Sequence, residues 1–176
     1  MLGIVLGGAL SVWAEYDETR AMCERAGVKH MAFAVNDMIP AFPGLCHAVT
    51  LHPETKLPAW LEARETKGHP RPVEVWSKRR DGLKLVTRTC RNWLGSSGMF
   101  AIDAALAWDC SAVVLCGVPM AEWGGHFLRG TAWSEVNDFW PAWIVRRAEL
   151  APAVRSCSGR TAELFGLPTD DFIRGL

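Results

Sequence analysis

The chain has 176 residues, 49% hydrophobic and 22% charged, with 19 basic and 19 acidic side chains and no formal net charge. That length suits one domain with a real core and is short for two, so residues 1–176 are expected to form a single domain. Balanced charge and a mean hydropathy of +0.07 argue against a general nucleic-acid or membrane-surface binder, and no apolar run approaches the ~20 residues of a membrane span.

Residues 2–6, Leu-Gly-Ile-Val-Leu, suit a central strand. The longer apolar stretch 2–14 resembles a secretory signal but lacks a basic start and is interrupted by Gly7-Gly8, so it reads as strand and turn. After the turn Gly7-Gly8-Ala9-Leu10-Ser11, residues 12–26 carry amphipathic helix periodicity, and Gly27 stops the helix. Strand, glycine turn and helix open a dinucleotide-type unit, although G-x-G-x-x-G itself is absent.

Residues 29–35 read as a second strand ending in Asn36-Asp37, and Pro40 and Pro43-Gly44 mark irregular chain. A third strand, 46–51, ends in His52-Pro53-Glu54 and leads to a helix over 57–67. A short fourth strand covers 73–76. Residues 78–91 are basic, with Lys78, Arg79, Arg80, Lys84, Arg88 and Arg91 against Asp81 alone. This segment reads as a mobile loop or lid near a phosphate, or as a solvated face.

Asn92-Trp93-Leu94-Gly95-Ser96-Ser97-Gly98 runs into an alanine-rich apolar helix, and residues 112–117 form the next buried strand. A small-residue turn opening a helix offers free N–H groups, hydroxyls and the positive end of the helix dipole to an anion. The alternative is that Ser97 is only an N-cap, with Gly95 and Gly98 relieving the turn. A glycine-rich loop spans 117–126, and a helix spans 131–150 with Trp133, Val136, Phe139, Trp140, Trp143 and Ile144 on one face. Pro141 predicts a kink or break there. The tryptophans Trp133, Trp140 and Trp143 read as core or as a homo-oligomer face. A last strand covers 154–156, and Ser158-Gly159 and Thr161 open a final helix over 162–165, closed by Gly166 and Pro168.

Alternating strands and helices imply an α/β fold: a Rossmann-like domain with a mostly parallel sheet and helices on both faces. Ligands of such sheets bind beyond the carboxyl ends of the strands. The segments there supply the candidate binding residues: Gly7, Gly8, Ser11, Asn36, Asp37, His52, Ser96, Ser97, Gly98, Arg155 and Ser158. Arg155 beside Ser156 and Ser158 reads as a second anion clamp. His126, after Gly124-Gly125, is the candidate catalytic residue as a general base, or else packs on the Trp-rich helix. Asp37 binds a ribose hydroxyl or an ion, or caps the next turn; His52 and Glu54 orient a ribose or a metal, or simply end a strand. Asp103, in the apolar helix, needs a partner if buried, with Arg155 or a backbone donor as candidates. No ligand spacing joins His47, His52 and His126 into a metal site. The six cysteines show no C-x-x-C and read as buried thiols of a reducing compartment, the cytoplasm, with no base adjacent in sequence to make one nucleophilic.

The order strand, Gly7-Gly8-Ala9-Leu10-Ser11 turn, helix, then Ser96-Ser97-Gly98 opening a helix, then strand and Gly117-Val118-Pro119-Met120, resembles a Rossmann-like group of two families. They are the archaeal 6-hydroxymethylpterin diphosphokinases and the bacterial sialyltransferases that use CMP-sialic acid. Their turns follow G-x-G-P-S-L, (T/S)-S-G and G-(I/V/F)-D; here Ala9-Leu10 stand where Gly-Pro is usual, and Pro119 replaces the aspartate. Asn36 is similar to the asparagine after the second strand of the sialyltransferases. The resemblance implies that His126 takes the place of their histidine base, while their assisting tyrosines have no counterpart. The whole chain also resembles uncharacterised proteins of tailed phages and prophages, which implies a host-cytoplasmic location. The function this implies is a nucleotide- or nucleotide-sugar-dependent transferase of glycosyl or diphosphoryl type, its small nucleotide-like ligand held with or without Mg²⁺. The alternatives are a non-catalytic accessory protein binding such a ligand, or an interaction protein on the same fold.

Overall fold

A computed structural model describes residues 1–80, 82–91, 95–121, 125–128, 130 and 136–176, without the side chain of Val136. Seven parallel strands form one sheet in the order β5-β4-β3-β2-β1-β6-β7. They are β1 (Leu2–Leu6), β2 (His30–Val35), β3 (Cys46–Val49), β4 (Val75–Ser77), β5 (Arg88–Thr89), β6 (Ala112–Cys116) and β7 (Val154–Ser156). The helices are α1 (Val12–Ala26), α2 (Met38–Ala41), α3 (Leu57–Thr66), α4 (Ser97–Ala107), α5 (Val136–Leu150), α6 (Gly159–Phe165) and α7 (Asp170–Arg174). The α/β, Rossmann-like architecture expected from the alternation is the one observed.

The sheet is covered on both faces, which is why β1 and β6 are apolar at almost every position. Val5, Phe33, Val49, Val113 and Leu115 face α4 and α5 through Phe100, Ala104 and Trp143. Leu2, Ile4, Leu6, Ala112 and Val114 face the opposite way, toward α1, α2, α3 and α7 through Val12, Ile39, Leu57 and Ile173. The period-2 alternation therefore sorts each strand between two cores. Gly3 belongs to the first face, where an added Cβ would lie 2.9 Å from that of Ala105, so its missing side chain lets α4 settle on β1.

Several expectations are corrected. Residues 38–41 form the short helix α2 despite Pro40, which sits inside its first turn, where a proline withholds no ladder donor. Of the two readings of the basic segment, its described part agrees with the solvated face, since Lys78, Arg79, Arg80, Lys84, Arg88 and Arg91 are all exposed. It contains β5, Val86 is fully buried, Arg79 bonds Glu54, Arg80 bonds the Val86 carbonyl and Arg88 bonds Glu74. Helix α5 continues through Pro141 without a break. Helix α7 was not expected; Thr169 caps it by accepting from the Phe172 N–H, with Asp170 and Asp171 at the positive end of its dipole. Asp103 does need a partner, and it is Arg146 on α5, through a two-pronged pair at 2.8 and 2.9 Å, rather than Arg155. Asp81, Asn92, Trp93, Leu94, Gly124, Trp133 and the expected helix start at 131 lie outside the described residues.

Candidate functional site

Strand order reverses between β1, whose chain crosses to β2, and β6, which adds on the other side of β1. The crevice at such a reversal is where ligands of open parallel sheets bind. In this chain the crevice is closed by the chain's own groups. The Gly7 N–H donates to the Cys116 carbonyl at 2.8 Å, Ala9 to Gly117 at 3.1 Å and Leu10 to Gly125 at 3.3 Å. A Cβ on Gly7 would lie 2.3 Å from the Gly117 oxygen, so the glycine is there for close backbone approach. The buried carboxylate of Glu15, in the first turn of α1, accepts from the Gly117 N–H at 2.6 Å. It places negative charge next to the helix start where a phosphate would sit. Ser11, at the N-cap position of α1, is exposed and its side chain caps nothing.

The Ser96–Gly98 turn is similarly committed to the fold. The cap of α4 is Ser96, not Ser97: its Oγ accepts from the Met99 N–H at 3.4 Å and from the Trp143 indole N–H at 3.1 Å. A Cβ on Gly98 would lie 2.9 Å from Val118 Cγ1, so this glycine seats α4 against the chain leaving β6. Ser97 is the first helical residue and is half-buried. Ser96→Ala removes a cap and leaves a buried indole N–H unpaired; we expect a loss of about 2 kcal/mol. Urea unfolding measures it, and a loss under about 0.5 kcal/mol, the size of an ordinary surface change, would mean that the hydroxyl carries no load.

The residues that converge are His126 and Asp37. Residues 125–127 return across the sheet and lie antiparallel beside the first glycine turn: Ala9 bridges to His126, and the Phe127 N–H donates to the Gly8 carbonyl at 2.9 Å. A Cβ on Gly8 would lie 2.4 Å from His126 Nε2, so only glycine leaves room for the imidazole. Nε2 lies 3.6 Å from Asp37 Oδ2, and Asp37 Oδ1 accepts from the Trp60 indole N–H at 3.1 Å. His126 Nδ1 accepts from the Leu128 N–H at 3.1 Å, which assigns the neutral ring's hydrogen to Nε2, on the Asp37 side. Asp37 occupies the N-cap position of α2 but makes no capping bond. Next to it, Asn36 takes φ +52 and its buried Oδ1 has no hydrogen-bond partner. A buried carbonyl oxygen without a donor is costly and is the mark of a place where a ligand or water completes the set.

The remaining candidates stand apart. Arg155 Nη1 donates to the Ala151 and Val154 carbonyls, both at 2.7 Å, and its guanidinium lies over Phe172 at 4.3 Å. It closes the carboxyl end of α5 and is no clamp beside Ser158. Ser158 Oγ, after β7, is buried and without a partner. His52 is exposed; its N–H donates to Thr50 Oγ1. Glu54 pairs with Arg79 at 2.8 Å, and that hydrogen bond lowers its pKa. His47 is wholly buried in the core. Among the described residues no cluster of three or more His, Cys, Asp or Glu side chains could hold a metal ion, and no helix is long and apolar enough to cross a membrane. Sequence reading missed Trp60 and Glu15. Glu15 carried one faint signal, an acid in the first turn of α1.

The chain matches no family model, no curated protein and no solved structure.

Proposed function

We propose that the chain is a nucleotide- or nucleotide-sugar-dependent transferase, of glycosyl or diphosphoryl type, that holds its ligand over the carboxyl ends of β1, β2 and β3. The observation that supports this is the His126–Asp37 pair beside the unpartnered Asn36 oxygen. Asn36 Oδ1 accepts from an amino or hydroxyl group of the base or sugar. With hydrogen on Nε2, His126 is the donor of the pair and Asp37 the basic atom, which exchanges the roles expected from sequence. A hydroxyl set to one side of the pair, within reach of both, gives its proton toward Asp37 while Nε2–H steadies the developing negative oxygen. The first glycine turn is closed, so the anionic groups belong nearer Lys78 and Arg79, which leave the carboxyl end of β4, and the first-turn N–H groups of Ser97 and Gly98. That same closure favours a second reading, a non-catalytic protein that binds such a ligand at the Asn36–Asp37 edge.

A thermal-shift series with nucleotides and nucleotide sugars, with and without Mg²⁺, tests the proposal. A ligand at a hundred times its dissociation constant adds about 2.7 kcal/mol, a rise of roughly 5–10 °C for a chain of this size. Asp37→Asn should keep that shift and lose transfer by a hundredfold or so. A shift with no turnover in the wild type supports the second reading, and no shift with any nucleotide sinks both.

A further inference from the structure

Two thiols meet at the carboxyl ends of β6 and β7. Leu115 pairs with Ser156 across these parallel strands, so Cys116 and Cys157 occupy the next positions, side by side. The Cys157 N–H donates to the Leu115 carbonyl at 3.0 Å, which fixes that register. Their sulfurs stand 3.8 Å apart. The Thr19 hydroxyl on α1 lies 3.5 Å from Cys116 Sγ and 3.6 Å from Cys157 Sγ, so both side chains point to the same face. Cys116 is fully buried, whereas Cys157 is half-buried.

We propose that Cys116 and Cys157 form a reversible disulfide when the protein meets a hydroperoxide. A disulfide needs sulfurs ~2.05 Å apart and neighbouring backbones, and here side-chain rotation alone has to supply the difference. Cys157, as thiolate, attacks an oxygen of the peroxide; the O–O bond breaks, the departing oxygen leaves as water or alcohol, and Cys157 becomes a sulfenic acid. Cys116 Sγ then attacks that sulfur, the S–O bond breaks, and hydroxide departs with the Cys116 proton as water. Two thiols lose two electrons, and the peroxide oxygens take them. Burial, with Cys157 as neighbour, raises the Cys116 thiol well above the usual thiol range, which keeps it from meeting the peroxide first; the 3.8 Å contact between the sulfurs is what brings it to the second step. Cys23, Cys46 and Cys110 are buried, and burial raises the pKa of each, as it does that of half-buried Cys90. The bond would tie β6 to β7 between Gly117, which holds Glu15, and Ser158, whose Oγ has no partner.

The test is intact mass and a non-reducing peptide map of the full chain after treatment with a small excess of hydrogen peroxide. We expect a loss of about 2 Da, one cross-link joining positions 116 and 157, and return of both thiols on adding a phosphine reductant. Cys116 is wholly buried, so Cys157→Ser, at the half-exposed position, is the principal variant, checked for an unchanged melting temperature. It should abolish the cross-link. If Cys116→Ser folds, it should leave Cys157 as a sulfenic acid that dimedone captures. Both thiols surviving in the folded wild type, Cys157 passing to sulfinic acid without a cross-link, or the same cross-linking yield in Cys157→Ser would each overturn the proposal. None of these outcomes depends on a nucleotide binding.

Discussion

Replacing Arg64 by methionine is expected to cost about 4 kcal/mol, the largest loss from any single side chain considered. Arg64 is 1% exposed. Its guanidinium donates to four backbone carbonyls: Pro70 at 2.7 Å from Nε, Ile39 and Phe42 at 2.7 and 2.6 Å from Nη1, and Gly44 at 2.6 Å from Nη2. These acceptors belong to α2 and the irregular chain after it, and to the segment after α3, so one side chain ties three pieces of backbone that the sheet does not hold. Methionine fills the stem's volume but leaves the carbonyls unpaired in a dry environment, at roughly 1–3 kcal/mol for each one that cannot reach water. Relaxation of the 42–44 stretch recovers part of that sum, hence the lower figure. For a chain of this length it means a fall of roughly 8–16 °C in melting temperature. Arg64→Lys should recover only a small part, because an ammonium cannot span four acceptors arranged around a planar fork. Equilibrium urea unfolding of both variants is the measurement. A lysine variant as stable as wild type would show that the charge, not the fork, matters, and a methionine loss under about 1 kcal/mol, the median of ordinary substitutions, would show that water replaces the arginine freely.

The framework of the fold was legible because its central strands are buried on both faces. LGIVL and AVVLC are short, continuously apolar runs of strand length, and the glycine after each marks where the strand must turn. The edge was not legible. β5 is two exposed residues paired only to Trp76 and Ser77, and no pattern marks a strand of that length. α2 hid behind its proline, and α7 behind five residues too few to show a period. For the candidate site, sequence could name strand-end residues but not the direction of their side chains. Arg155 sits on β7 as expected, yet its guanidinium turns back to the end of α5. Ser96 rather than Ser97 caps α4, its backbone still extended and its hydroxyl accepting from the Met99 N–H; the same hydroxyl also accepts from Trp143, 47 positions on. The approach of His126 to Asp37 depends on two backbone hydrogen bonds, which make one antiparallel bridge between residues 125–127 and the first glycine turn. Contacts at that separation leave no local trace. The glycine turns were read as open anion cradles because their composition allows one; the same composition also allows close packing, and Gly7 is used to bring two backbones together, while Gly8 and Gly98 leave room for the side chains of His126 and Val118.

Stability should fall by about 2.5 kcal/mol between about pH 7 and about pH 4.5 through His47 alone. The imidazole is fully buried, stacked on Phe33 with ring centres 4.6 Å apart and packed against Trp108 at 4.4 Å. Nδ1 accepts from the Trp76 indole N–H at 3.2 Å, and Nε2 has no partner to welcome a charge. Burial therefore lowers its pKa from 6.5 to about 4; the Glu74 carboxylate opposes this shift and Arg88 adds to it. Between those two values the unfolded chain binds a proton that the folded chain does not, so the unfolded state gains as pH falls. Full stability is present above the unfolded value, is lost progressively below it, and levels off once the folded imidazole also protonates; the limiting loss is about 3 kcal/mol. Glu54, Glu74 and Glu149 act lower on the scale. Their folded pKa values lie below 4.5, so what they contribute fades only as pH drops beneath that point. His47→Phe separates the two effects. At about pH 7 it should cost about 1–2 kcal/mol, because the Trp76 N–H loses its acceptor. By about pH 4.5 that deficit should vanish or reverse, since phenylalanine has no proton to take up in the unfolded chain. Urea titrations of both proteins at the two pH values give the difference directly. Parallel losses in wild type and variant would mean that His47 protonates in place, and that the aromatic cage around it is open to water.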